Sequence, residues 1–179
     1  MEQQLKHISK LMSLVLRHKP EEISLHLDEN GWANVQELIE TINVKGININ
    51  INIINTVVET NDKKRFAFND DKTLIRASQG HSINVELNLQ ETIPPDILYH
   101  GTATRFLESI LKTGLQKQGR QHVHLCATEE TAKAVGSRHG KPVILTINAK
   151  TMYMAGIKFY LSQNNVWLTN EVPVQFITK

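Results

Sequence analysis

The stretch RFAFNDDKTLIRASQGHSINVELNLQETIPPDILYHGT, residues 65–102, is the passage on which the reading of the fold turns. Arg65 to Phe68 and Thr73 to Ala77 flank the polar turn Asn69-Asp70-Asp71, with the lengths and turn residues of a β-hairpin. Residues 82–96 are then polar and close on Pro94-Pro95, whose missing backbone donors and restricted dihedrals suit a connection between domains. Strand-like sequence resumes at Ile97 to Tyr99. The boundary therefore falls here, giving one domain over 1–90 and a second over 91–179.

Upstream, Ile8, Leu11, Met12, Val15 and Leu16 recur at the spacing of an amphipathic helix, which Pro20 ends because it cannot donate to the helical ladder. Ile23, Leu25 and Leu27 alternate with polar residues and predict a strand. The run Asp28-Glu29-Asn30-Gly31 marks a turn, and Asn34 can cap a helix through Val35, Leu38, Ile39 and Ile42. From Ile47 to Ile53, alternating Ile and Asn read as a strand, yet Ile54, Val57 and Val58 continue at helical spacing, and both assignments stay open. If 47–60 is helical, the order is helix, strand, helix, helix, hairpin, which is that of a winged-helix module. Such modules commonly contact nucleic acid, although fold alone does not establish function.

Downstream, Thr104 to Lys112 is a predicted helix with Gly114 as its C-cap, and Val123 and Leu125 alternate with His122 and His124 in a short strand. Thr128 with Glu129 and Glu130 starts a helix that ends near Gly136 or Gly140. Val143 to Ile147, Val166 to Leu168 and Val172 to Ile177 are further strand candidates. The expected fold class is α+β, with short strands in the second half.

Composition narrows the function. The 179 residues are 40% hydrophobic and 21% charged, a globular balance that excludes wholesale disorder. No run approaches the roughly 18 apolar residues of a membrane helix, and the polar N-terminus is not signal-like, so a cytoplasmic protein with no membrane partner is expected. Cys126 is the only cysteine, which rules out an intramolecular disulfide. Twenty Lys and Arg against eighteen Asp and Glu give +2, too little to reveal a nucleic-acid partner by bulk charge. The excess positive charge lies in the second half, where ten basic residues face six acidic ones, against ten and twelve in residues 1–90.

Five clusters of His, Arg and Gly could carry chemistry. Arg17-His18 stands at the end of the first helix, where positive charge is favoured by the dipole whether or not it has a further role. Arg76 closes the hairpin and is followed by Gln79-Gly80-His81-Ser82, a corner able to cradle an oxyanion but also able to be an ordinary polar turn. Tyr99-His100-Gly101-Thr102 is placed in a loop between a strand and a helix, its glycine allowing close backbone approach and its imidazole and hydroxyl able to hold a ribose or amide. Gly119-Arg120-Gln121-His122-Val123-His124 has metal-like His spacing, but no third ligand is evident and no metal is expected. Gly136-Ser137-Arg138-His139-Gly140 offers another Arg between glycines, at a helix terminus.

Together these segments resemble one family, the NAD-dependent RNA 2′-phosphotransferases, also called tRNA 2′-phosphotransferases. The resemblance rests on SLVLRHKP (Ser13–Pro20), LDENGWANVQELI (Leu27–Ile39), DKKRFAF (Asp62–Phe68), IRASQGHS (Ile75–Ser82), LYHGT (Leu98–Thr102), GRQHVHL (Gly119–Leu125), SRHGKPVIL (Ser137–Leu145) and NVWLT (Asn165–Thr169). It implies an N-terminal winged-helix lobe that binds RNA and a C-terminal ADP-ribosyltransferase-like lobe that binds NAD, in an enzyme expected to be a monomer and to serve tRNA splicing. It also implies a catalytic set of Arg17, His18, Arg76 and Arg138, with Arg120 as the alternative fourth member. Gln79, Gly80, His81 and Ser82, with Arg120, are implied to bind phosphate or RNA, and Tyr99, His100, Gly101, Thr102 and His124 to bind the NAD co-substrate. The catalytic Glu of protein-modifying relatives has no counterpart, Val166 standing where it would be.

The reaction implied has two steps. An internal RNA 2′-phosphate attacks the nicotinamide-bearing ribose carbon of NAD, which ADP-ribosylates the phosphate. The neighbouring 2″-hydroxyl then attacks phosphorus, releasing 2′-hydroxyl RNA and ADP-ribose 1″,2″-cyclic phosphate. Two rivals remain: an ADP-ribosyltransferase acting on protein or on terminal nucleic-acid phosphates, and a non-catalytic winged-helix binder of nucleic acid.

Overall fold

Helix α1, Glu2–Val15, exists because Ile8, Met12 and Val15 fall on one face and are buried there. The computed structural model describes residues 2–179, which divide into two compact units, Met1–Asn88 and Leu89–Lys179. Six α-helices and several small antiparallel sheets are present among the described residues.

In the first unit a short 3-10 turn, Pro20–Ile23, follows α1. The strand expected from Ile23 to Leu27 does not form. Ser24 takes a left-handed φ of 56° and breaks the chain direction, and the His26 N–H is taken by Glu37 Oε1 at 2.8 Å rather than by a neighbouring strand. Ile23 and Leu25 are nonetheless buried, so the alternation records burial of an irregular segment. Strand β1, Ala33–Asn34, leads into helix α2, Val35–Val44, which Asn34 caps by accepting from the Glu37 N–H at 3.0 Å.

The Ile/Asn stretch resolves in favour of a helix. Helix α3, Ile51–Glu59, is capped by Asn50, and Ile54 and Val57 are buried one turn apart. Before it, residues 47–50 remain extended without a sheet because the Asn43 side chain serves both backbone groups of Ile49, at 2.7 and 3.0 Å. The expected hairpin forms as β2, Phe66–Phe68, and β3, Leu74–Ala77. With β1 they make an antiparallel sheet in the order β1-β3-β2. Its Phe66 and Ile75 pack against Met12, Leu38, Ile42 and Ile54 in one core.

In the second unit, strand β4, Leu98–Ala103, pairs along its whole length with β7, Pro142–Ile147, and β11, Ile177–Thr178, pairs on the far side of β7. The segment Tyr99 to Thr102 is therefore not a loop but the body of a strand. Helix α4, Thr104–Thr113, follows β4 and ends at Gly114, whose φ of +77° suits glycine. A short ladder joins β5, Leu115–Gln116, to β10, Glu171–Val172. A further sheet has the order β6-β9-β8, from Val123–Leu125, Trp167–Thr169 and Phe159–Leu161. Tyr99 and Cys126 exchange backbone hydrogen bonds of 2.8 and 2.7 Å and tie β4 to the end of β6.

The strand expected over Val172 to Ile177 is interrupted, since Pro173 has no N–H for a ladder and Val174–Phe176 forms a 3-10 turn. Helix α5, Glu129–Gly136, starts at Thr128, whose Oγ1 accepts from the Thr131 N–H at 3.3 Å, while Glu129 and Glu130 favour the positive end of its dipole. Helix α6, Ala149–Met154, and strand β8 were not apparent from periodicity because each is short.

Candidate functional site

Two groups of candidate residues are assembled, one within each unit. In the first, Arg17 and His18 occupy the turn that follows α1, held by N–H donation from both His18 and Lys19 to the Leu14 carbonyl at 2.9 Å. Being outside the helix, the Arg17 carbonyl is available to accept from the Ser82 N–H at 2.9 Å. His18 Nδ1 and Ser82 Oγ lie 2.9 Å apart, and Arg17 Nη2 donates to the Arg65 carbonyl at 3.4 Å. The turn after α1 and the corner at residues 79–82 are thus stitched together across more than sixty positions of sequence.

Arg76 approaches the same place from β3. Its guanidinium carbon lies 4.4 Å from the centroid of the Trp32 ring. The pairing of Ala33 with Ile75 puts Trp32 across from Arg76, which explains how two residues so far apart in sequence come to stack. Burial lowers the Arg76 pKa while the charge of Asp28 opposes that shift, and a guanidinium stays protonated in either case.

His81 is 1% exposed, and neither ring nitrogen has a hydrogen-bond partner among the described residues. Burial, followed by the positive charges of Arg17, His18 and Arg76, pushes its pKa down to about 4. Its neutrality at pH 7 follows. Arg76 Nε and Gln79 Oε1 are also buried without partners. Buried polar atoms are ordinarily satisfied, so their concentration in residues 76–81 marks a place arranged for something other than stability. Gly80, with a φ of +87°, turns the chain so that His81 enters the interior while Ser82 stays exposed.

In the second unit, His100 Nδ1 lies 3.0 Å from the His124 carbonyl oxygen. A carbonyl only accepts, so Nδ1 donates. Burial lowers the His100 pKa, the carbonyl bond opposes this, and the charge of His139 adds to the lowering. A neutral ring then keeps an Nε2 lone pair, an acceptor suited to a sugar hydroxyl. Arg120 Nη1 donates to His124 Nδ1 at 3.2 Å. Arg120 is in this way engaged with the NAD-candidate histidine. Thr102 is buried beside Gly101 in β4. A neutral acceptor, a hydroxyl and a neighbouring guanidinium are chemically compatible with the ribose and pyrophosphate of a dinucleotide.

Gly101 has a different role from the one its loop placement suggested. A Cβ there would lie 1.7 Å from the Ala132 carbonyl oxygen, and one at Gly136 would lie 2.6 Å from the Thr102 carbonyl oxygen. The two glycines let α5 rest directly on β4. Arg138 is exposed just beyond α5, and its side chain makes no hydrogen bond or ion pair among the described residues. Among the described residues no three His, Cys, Asp or Glu side chains gather to hold a metal ion.

Trp32 and Asp28 are the residues of this site that sequence reasoning missed. The run Asp28 to Gly31 marks only a turn in the sequence, and it is the register of β1 on β3 that places the Trp32 indole against Arg76.

Comparison with known proteins bears on both groups. A family model described as RNA 2′-phosphotransferase, Tpt1 / KptA family, matches residues 3–171. A protein of Flavobacterium johnsoniae named probable RNA 2′-phosphotransferase is 63% identical over 172 residues, covering 96% of this chain and 94% of the relative. Relatives with the same name from Hahella chejuensis and Escherichia coli O9:H4 are 56% and 49% identical, over 99% and 98% of this chain and 96% of each relative.

Proposed function

Because the chain belongs to the RNA 2′-phosphotransferase (Tpt1 / KptA) family, we propose that it transfers an internal RNA 2′-phosphate to NAD, yielding 2′-hydroxyl RNA, nicotinamide and ADP-ribose 1″,2″-cyclic phosphate. In this reading residues 1–90 form a winged-helix lobe that engages RNA, and residues 91–179 an ADP-ribosyltransferase-like lobe that engages NAD. The observation that carries it is the gathering of Arg17, His18 and Arg76 around the buried His81, with Ser82 bonded to both members of the Arg17-His18 pair.

NAD supplies an electrophilic sugar carbon with nicotinamide as its leaving group. The chain's own residues do the rest. Arg17 and Arg76 grip the 2′-phosphate, because a guanidinium offers paired donors and a permanent charge where an ammonium offers a point charge. Arg138 completes the set by adding positive charge as phosphorus is attacked. His18, its ring held by Ser82 Oγ at 2.9 Å, hydrogen-bonds the phosphate or carries a proton. His100 accepts from a ribose hydroxyl at Nε2, and Arg120 fixes His124 beside it. A phosphate dianion is already a nucleophile, so no carboxylate base is needed where Val166 stands.

The test is incubation of the protein with an oligonucleotide carrying one internal 2′-phosphate, with and without NAD, followed by mass analysis. NAD-dependent appearance of the cyclic phosphate and 2′-hydroxyl RNA is expected. A stable ADP-ribosylated product would replace this reading with that of an ADP-ribosyltransferase. Salt-sensitive binding that ignores NAD, with no turnover, would make the protein a nucleic-acid binder.

A further inference from the structure

Arg76 has one close neighbour that the proposed chemistry does not use. We propose that Trp32 is a positioning residue that sets the plane of the Arg76 guanidinium, so that its donors meet the RNA phosphate as a pair; this inference rests on the phosphotransferase reading above. The guanidinium carbon lies 4.4 Å from the centroid of the indole, and among the described residues the Nε is buried with no hydrogen bond to hold it. Stacking is therefore the restraint on the guanidinium plane that the structure offers.

The backbone that carries the indole is itself held. Asp28 Oδ1 accepts from the backbone N–H of Trp32 at 2.8 Å and of Asn30 at 2.9 Å, and the Asp28 backbone N–H donates to the Trp32 carbonyl at 2.9 Å. Gly31, at a φ of +77°, closes this turn. Asp28 thus anchors the turn while its charge reaches Arg76. On the other side of Arg76 in the sheet stands Ala67, too small to compete for the guanidinium. A guanidinium held over an aromatic face has its plane restrained, which is what bidentate recognition of a phosphate requires.

The test compares kcat on a 2′-phosphorylated oligonucleotide for wild type, Trp32→Leu and Trp32→Phe, each also made with Arg76→Lys. Trp32→Leu is expected to lower kcat about tenfold, the order of one stacking interaction. Trp32→Phe, which keeps an aromatic face, is expected to stay within about threefold of wild type on the same scale. With Lys at 76 there is no plane to orient, so Trp32→Leu should change kcat less than about twofold further. If Trp32→Leu does not fold, Trp32→Met, which keeps more volume, carries the same expectation.

An unchanged kcat in Trp32→Leu overturns the proposal. So does equal damage from Phe and Leu, or the full loss persisting alongside Arg76→Lys, either of which makes Trp32 a packing residue only. Wild-type turnover is measured first, so an inactive wild type overturns the phosphotransferase reading, whereas an active one with an indifferent Trp32 overturns this inference alone.

Discussion

Two glycine–histidine pairs, Gly80-His81 and His100-Gly101, look alike in sequence and have opposite physical roles. Gly80 takes a left-handed φ of +87° in an irregular corner and delivers His81 to a buried position where, among the described residues, neither ring nitrogen is bonded. Gly101 lies in a fully paired strand, where it removes the Cβ that would strike α5, and His100 beside it is fixed through Nδ1 to a carbonyl. The first pair leaves polar capacity unused at the expense of stability. The second uses glycine for packing and presents one defined acceptor. A motif of two residues does not reveal which case applies; the backbone it sits on does.

Substitution of the two glycines and the groups around them should separate these roles. Gly101→Ala is expected to have the largest effect, about 4 kcal/mol or outright failure to fold, because the clash is with backbone that cannot swing aside. Urea unfolding measures it, and a loss below about 1 kcal/mol would show that α5 can shift off β4. Arg76→Ala is expected to leave the fold intact and to slow phosphate removal a hundredfold or more, about 3 kcal/mol in the barrier. Unchanged turnover would remove Arg76 from the chemistry.

The third effect depends on pH. His81 has a folded pKa of about 4 against an ordinary value of 6.5, so between these values the unfolded chain binds a proton that the folded chain refuses. Its contribution is intact above pH 6.5 and falls away as the pH drops towards 4, by about 3 kcal/mol in all. Urea unfolding of wild type and His81→Gln at pH 7 and pH 4 isolates this component: the pH-dependent loss should be smaller in the variant by that amount. Identical pH dependence in the two proteins would mean that His81 is not held neutral. Smallest of the four, Gly80→Ala should cost about 1 kcal/mol, the strain of a left-handed Ala. A loss as large as that of Gly101→Ala would erase the distinction between the two pairs.

Much of this architecture was legible in the sequence, for local reasons. Asn34 and Thr128 cap helices by accepting N–H groups three residues on, and the Asn69 to Asp71 turn closes a hairpin, all within a few positions. The strand expected at Ile23 to Leu27 failed because alternation reports burial, and burial does not require a partner strand. Tyr99 to Thr102 reads as a loop in the sequence because Gly signals a breaker when the helix lying across it is out of sight. Arg17, His18, Arg76, His81 and Ser82 stand out as candidates by their residue types. Their assembly, and the part played by Trp32, could not be read in advance, since both depend on the register of β1 against β3 and on one carbonyl left outside α1.

Residue type and spacing alone thus specified α1, α2, α4 and α5, the caps at Asn34 and Thr128, the hairpin, the mixed α and β character and the family, because each is written in short-range patterns or in the order of motifs. Packing decided which glycine was conformational and which steric, which histidine was kept neutral, and which aromatic ring met the guanidinium. Those outcomes are set by desolvation and by distances between segments far apart in the chain, and neither quantity exists until the chain has folded.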